Sequence, residues 1–194
     1  MSSHVPDTTL IAWQVRRGEA PIRAESGRFS VLAADNQTAG YHRSLVVRSE
    51  GLSLEMKRVL PAAPSVVFAA FSDQNELARW WGPEGFSIRS LDFQPRVGER
   101  YRIEMQPPEG DAFSLIGEFR EVDPPARLSF TFVWEDPDPD DVETVAELSF
   151  RDLDQSTEVA FTQGPFKTEP RRALHRGGWT DSFDKLEGLI AARA

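Results

Sequence analysis

The sequence predicts an α+β domain over residues 52–194, in which an antiparallel sheet packs against one long C-terminal helix. Two observations carry this. From Tyr101 to Phe161, apolar and polar residues alternate with period two in one segment after another, the mark of strands with a dry face and a wet face. Further on, Trp179, Phe183, Leu186 and Ile190 fall at i, i+4, i+7 and i+11, one stripe of an amphipathic helix. A dry sheet face needs a cover, and this helix is the long element able to provide it.

The elements follow in order. Leu52, Leu54 and Met56 alternate with polar residues as a half-buried strand does, and Pro61 ends it. Pro64 suits the first turn of a helix, where a missing N–H costs nothing, and Val67, Phe68 and Phe71 supply that helix with an apolar stripe. Asp73 with Glu76 matches a capping box. It is expected to open a second short helix that runs through Leu77, Trp80 and Trp81 until Gly82 and Pro83 stop it.

Five or six strands then follow. Tyr101, Ile103 and Met105 share one face, as do Phe113, Leu115, Gly117 and Phe119. The next dry faces are Leu128, Phe130, Phe132, Trp134, then Thr144, Ala146, Leu148, Phe150, then Thr157, Val159, Phe161. Arg100, Arg102, Glu104, Glu118, Arg120, Glu147 and Glu158 fall on the wet side. Turn-forming residues separate the strands, among them Pro95 to Gly98, Asp123-Pro124-Pro125 and an acidic loop over 136–141. The last helix is expected from about Pro170 to Ala192.

Residues 1–51 differ. Their short apolar clusters are broken by Gly18, Pro21, Gly27 and Gly40, and no helical period persists. The plain expectation is a poorly ordered extension; the alternative is a docking arm or an extra hairpin on the sheet edge.

Composition bounds the function. The chain has no cysteine, which removes disulfides, thiolate nucleophiles and cysteine-ligated metals from consideration. Its formal charge of −9 sits almost entirely beyond residue 50. An acidic body repels phosphate backbones and anionic lipid, so neither nucleic acid nor membrane insertion is expected. The N-terminus lacks the basic and apolar stretches of a signal peptide, and a cytoplasmic location is the expectation.

Four motifs carry a family resemblance. They are Pro64-Ser-Val-Val-Phe-Ala-Ala-Phe71, Leu77-Ala-Arg-Trp-Trp-Gly-Pro-Glu-Gly-Phe86, Gly117-Glu-Phe-Arg-Glu-Val-Asp-Pro-Pro-Ala-Arg-Leu-Ser-Phe130 and His175-Arg-Gly-Gly-Trp179. Their order resembles the SRPBCC (START-like) superfamily, and in particular the family related to activators of the heat-shock protein ninety ATPase. Gly98-Glu99 stands where that family often has a glycine pair, and residues 1–51 have no counterpart in it. The resemblance implies a helix-grip fold, a curved antiparallel sheet wrapped on the C-terminal helix with two short helices after the first strand. It also implies a cavity between sheet and helix, and fold analogy stops there.

Candidate residues follow from the aromatic dry face. Trp80, Trp81 and Phe86 fit either a ligand mouth or plain core, and one ring can pack while the other faces the cavity. Tyr101, Met105, Phe119, Phe132 and Trp134 are the expected sheet-side wall. Trp179 and Phe183 are the helix side, with Trp179 expected to rest on Phe119, Phe130, Phe132 or their neighbours. His175, four residues before Trp179, shares the inward stripe. It is more often a packing residue than a catalyst, since general-base work needs an orienting partner and a nucleophile in reach. Glu104 and Glu118 read as surface ion-pair partners. Glu135 to Asp141 lacks the glycine of a calcium loop and reads as a solvated hairpin tip. No glycine-rich phosphate cradle is present, and no cofactor is expected.

Three functions stay open at this stage. One is a non-enzymatic cavity domain for a small apolar molecule, another a protein-interaction module of the chaperone-activator kind, and the third a cavity enzyme using His175 as acid or base.

Overall fold

The structure, a computed structural model, describes residues 51–193. Apart from Gly51, the extension expected over residues 1–51 lies outside the described residues. The strands are β1 (Leu52–Leu60), β2 (Ser87–Asp92), β3 (Arg100–Gln106), β4 (Phe113–Asp123), β5 (Arg127–Trp134), β6 (Thr144–Asp152) and β7 (Thr157–Phe166). The helices are α1 (Pro64–Ser72), α2 (Gln74–Leu77) and α3 (Glu169–Ala191). All seven strands form one antiparallel sheet in the order β1-β7-β6-β5-β4-β3-β2. This is the helix-grip α+β fold, a curved sheet with α3 across its dry face and two short helices after β1.

The alternation places the core as expected. Thr144, Ala146, Leu148 and Phe150 are all buried on β6, and Trp179, Phe183, Leu186 and Ile190 are all buried on α3. Burying a large apolar side chain stabilises by about 1.5–3 kcal/mol, so these facing stripes hold the helix to the sheet.

Three details depart from the expectation. First, α2 ends at Leu77, and both tryptophans follow it in a tight turn. The Trp80 and Trp81 N–H groups both donate to the Leu77 C=O, at 3.2 and 3.0 Å, and Gly82 then takes a φ of 91°. The turn seats the Trp80 indole, whose N–H donates to the Ala70 C=O at 2.9 Å. Second, the capping box is half formed. Asp73 accepts from the Asn75 and Glu76 N–H groups at 2.8 and 3.2 Å, but its own N–H is already used by the Ala69 C=O of α1. Third, the strand with no legible alternation is β2. It is an edge strand with a register shift between Ile88 and Ser90, so its two half-buried residues, Ile88 and Leu91, fall out of period.

Gly117 marks a deliberate irregularity. The β4–β5 register is the same at Ile116–Val133 and at Phe119–Phe130, with an unpaired stretch between them, and it shifts only between Phe119 and Glu121. In the gap the Glu118 N–H donates to the Thr131 Oγ1 at 2.9 Å, and the Tyr101 hydroxyl donates to the Thr131 C=O at 2.6 Å. Tyr101 lies directly opposite Gly117, and a Cβ there would stand 2.0 Å from the Thr131 carbonyl oxygen and 2.6 Å from the Tyr101 ring. Only a residue without a side chain lets ring and strand approach so closely.

Candidate functional site

The space between sheet and helix is lined by aromatic rings that fall into three connected groups. The deepest lies under β3, β4 and β5. Phe93, Tyr101, Phe119 and Phe130 pack edge to face or tilted, with centroids 4.9–6.1 Å apart and at most 2% of each residue exposed. A second group joins the short helices to α3. Trp80 sits 4.8 Å from Phe71 and 6.5 Å from Phe183, with its indole N–H satisfied.

The third group forms a track from the surface inward. Phe86 and Phe113, both half-buried, meet at 6.1 Å, and Phe113 touches Trp134 at 5.4 Å. Trp134 packs on Phe132 at 5.2 Å, and Phe132 on His175 at 5.1 Å and Trp179 at 6.4 Å. Met105, opposite Phe113 in the register, borders the outer end beside Gly82.

The structure thus brings Trp81, Phe86, Met105, Phe132, Trp134, His175 and Trp179 along one wall, which continues through Trp81 on Trp179 at 5.0 Å. Tyr101 and Phe119 stand in the deep group, while Trp80 and Phe183 belong to the packing between helices. The two neighbouring tryptophans therefore divide their work, one closing the core and one facing the track. Trp179 rests chiefly on Phe161, at 4.4 Å, and on Trp81, rather than on Phe119 or Phe130. The reason is the strand order. With β7 beside β6 and β1, the crossing helix meets Phe161 before it reaches β4.

His175 is buried, packed among Phe132, Trp134 and Phe166. Close by lies a polar chain of fixed direction. The Trp179 indole N–H donates to the Gln163 Oε1 at 2.8 Å, the Gln163 amide to the Thr144 Oγ1 at 2.8 Å, and the Thr144 hydroxyl to the Phe132 C=O at 3.2 Å. Each partner is buried, so each bond holds a group that would otherwise lose water uncompensated. Gln163 is a buried interior residue that the sequence reading did not name. The inward alternation Thr157, Val159, Phe161 already pointed to position 163, but a polar residue there does not announce itself as wall.

The segment after the tryptophans is locked onto α3. Lys185 Nζ donates to the Pro83 C=O at 3.2 Å and reaches the Trp81 C=O at 3.5 Å, and the Glu84 N–H donates to Asp181 at 3.3 Å. The Ser182 hydroxyl lies within 3.1 Å of the Gly82 C=O. Burial lowers the Lys185 pKa, against the opposing pull of Glu84 and Asp181. At the other end, the acidic loop is more than a solvated tip. Arg171 of α3 pairs with both Asp138 and Asp141, and the Asp141 side chain is only 4% exposed. The guanidinium at the first turn of α3 draws the loop down. Neither Glu118 nor Glu104 makes the cross-strand ion pair the sequence suggested: Glu118 pairs at 3.2 Å with Arg120 of its own strand, and Glu104 accepts the Ser90 hydroxyl. Among the described residues no group of three or more His, Asp or Glu could hold a metal ion.

Fold and interior together define a class, a helix-grip domain with an aromatic interior between sheet and helix. The family model described as activator of Hsp90 ATPase homolog 1-like protein matches residues 61–191. The chain belongs to that family, within the SRPBCC superfamily. Among solved structures it is similar to the AHSA1 protein from Silicibacter pomeroyi, at 26% identity and a TM-score of 0.67 over 74% of this chain and 100% of that one. A protein from Chromobacterium violaceum is also 26% identical, with a TM-score of 0.65, covering 71% of this chain and 96% of that one. One from Nitrosomonas europaea is 25% identical, with a TM-score of 0.62, covering 73% and 96% respectively. No curated protein matches. No helix among the described residues is long and apolar enough to cross a membrane.

Proposed function

We propose that this domain is a non-enzymatic binding module whose interior takes a small apolar ligand. The observation that carries it is the aromatic track. Half-buried Phe86 and Phe113 lead without interruption through Trp134 and Phe132 to buried His175 and Trp179. Ring faces offer a flat apolar ligand dispersion contacts along the whole path, and a few fixed polar groups orient it. Gln163 and His175 are the polar groups beside that path. Cytoplasmic residence accords with this reading.

Two measurements test it. Native mass spectrometry of freshly purified protein should show a retained small molecule, or N-phenyl-1-naphthylamine should bind saturably at one site with enhanced fluorescence. Phe113→Ala, at the half-buried entrance, should weaken that binding without unfolding the domain. A bare chain mass together with no saturable probe binding would remove the reading.

The family description favours a second reading, a module that contacts a chaperone ATPase. Stimulation of a purified Hsp90 ATPase would support it. The exposed large apolar residues offer little help, because Leu52 and Val59 of β1, Val66, Val97, Val142 and Leu153 are spread over five separate segments.

A further inference from the structure

The outward face of the sheet, opposite the interior, holds a cleft of about 450 Å³. Its floor follows from the register. Asp92 of β2 lies opposite Arg102 of β3, Arg102 opposite Ile116 of β4, and Ile116 opposite Val133 of β5. Glu143, the residue before β6, closes this row. Side chains in such a row point to one face. The middle of the floor is therefore apolar, with half-buried Ile116 and Val133 flanked by Arg100 and Arg102 on the β3 side, the Asp92 carboxylate beyond them on β2, and the Glu143 carboxylate on the β6 side.

Of the six charged residues lining the cleft, three are already matched. Arg102 makes a two-pronged pair with Glu135, at 2.8–3.2 Å, and Arg120 pairs with Glu118. A guanidinium has five N–H donors, so Arg102 keeps several to spare. Among the described residues Asp92, Arg100 and Glu143 line the cleft without an ion-pair partner, Asp92 and Arg100 on its β2–β3 side and Glu143 on its β6 side. From β3 to β6 is three strand spacings, about 14 Å, which a reaching arginine and glutamate shorten to a gap of molecular size.

We propose that this cleft binds a dipeptide-sized zwitterion, its carboxylate on Arg100 and Arg102, its ammonium on Glu143 and its apolar side chains on Ile116 and Val133. An α-amino acid is too short to reach both ends, and a purely apolar ligand would leave Arg100 and Glu143 unused. The site lies on the outward face of the sheet and meets the interior only at Tyr101, whose ring belongs to the deep aromatic group.

The test is an amide chemical-shift titration of the full chain with the dipeptide Leu-Leu. Saturable shifts should cluster on Ile116, Thr131 and Val133. Arg100→Gln and Glu143→Gln should each weaken binding about three- to fivefold, as expected for solvent-exposed charge pairs. Both side chains are exposed, so the variants should keep the wild-type unfolding midpoint, and their affinities can be compared directly. N-acetyl-Leu-Leu, lacking the ammonium, should bind more weakly to the wild type and equally to Glu143→Gln. Absence of saturable shifts, equal binding of the acetylated dipeptide, or shifts confined to the interior residues would each overturn the proposal.

Discussion

At the scale of single residues, three side chains carry distinct consequences. Trp179 is 5% exposed and joins Phe161, Trp81 and the Gln163 amide. Trp179→Ala removes the transfer energy and leaves a void, and should cost about 3–5 kcal/mol in urea unfolding. Trp179→Phe keeps a ring but strands the Gln163 carbonyl, and should cost about 1–3 kcal/mol. A midpoint equal to wild type in both would show the indole to be a ligand contact rather than a packing residue. Tyr101 makes a pH-dependent contribution. Burial, reinforced by Glu143, raises its pKa well above the ordinary 10.0. In the unfolded chain the phenol loses its proton near that ordinary value, while the folded phenol keeps it. Its contribution is therefore complete below pH 10.0 and is lost as pH rises above it. Tyr101→Phe should be destabilised at neutral pH, because the Thr131 C=O loses its donor, yet decline less steeply in alkali. Parallel stability profiles for the two proteins above that pH would refute this.

Between elements, short polar contacts set how loops sit on α3. Arg171 clamps the β5–β6 loop through Asp138 and Asp141, and the Asp141 carboxylate is almost wholly enclosed. Removing the guanidinium leaves that carboxylate poorly compensated, so Arg171→Ala should cost about 1–3 kcal/mol. It should also expose the 136–141 loop to proteolysis, and a cleavage rate equal to wild type would show the loop is held by other contacts. At the start of α2, Asp73 accepts two backbone N–H groups, and Asp73→Ala should cost about 1 kcal/mol. That loss would also loosen the turn carrying Trp80 and Trp81, visible as a change in near-ultraviolet circular dichroism.

For the molecule as a whole, regular patterning begins at Leu52. A fragment beginning at Val47 should therefore fold with the same cooperativity as the full chain. A fragment lacking a cooperative unfolding transition would show that residues before Val47 belong to the core.

The sequence alone determined the α+β class, the wet and dry faces of five strands, and the inward stripe of α3. Each rests on a local period that backbone geometry imposes on neighbouring residues, and periods are legible wherever the strand is regular and half buried. The family motifs likewise placed Trp80, Trp81, Phe86, His175 and Trp179 in the interior or at its edge. What only the tertiary structure decided was which inward residues meet. Trp179 faces Phe161 because β7 lies beside β6, and that order is a property of the sheet rather than of any segment. β2 escaped notice because a bulge breaks its period, and Gln163 because its value as a wall residue depends on Trp179 and Thr144 arriving from elsewhere. The outward cleft was invisible for the same reason. Arg102, Ile116, Val133 and Glu143 are far apart along the chain, and only hydrogen-bonded register sets them in one row.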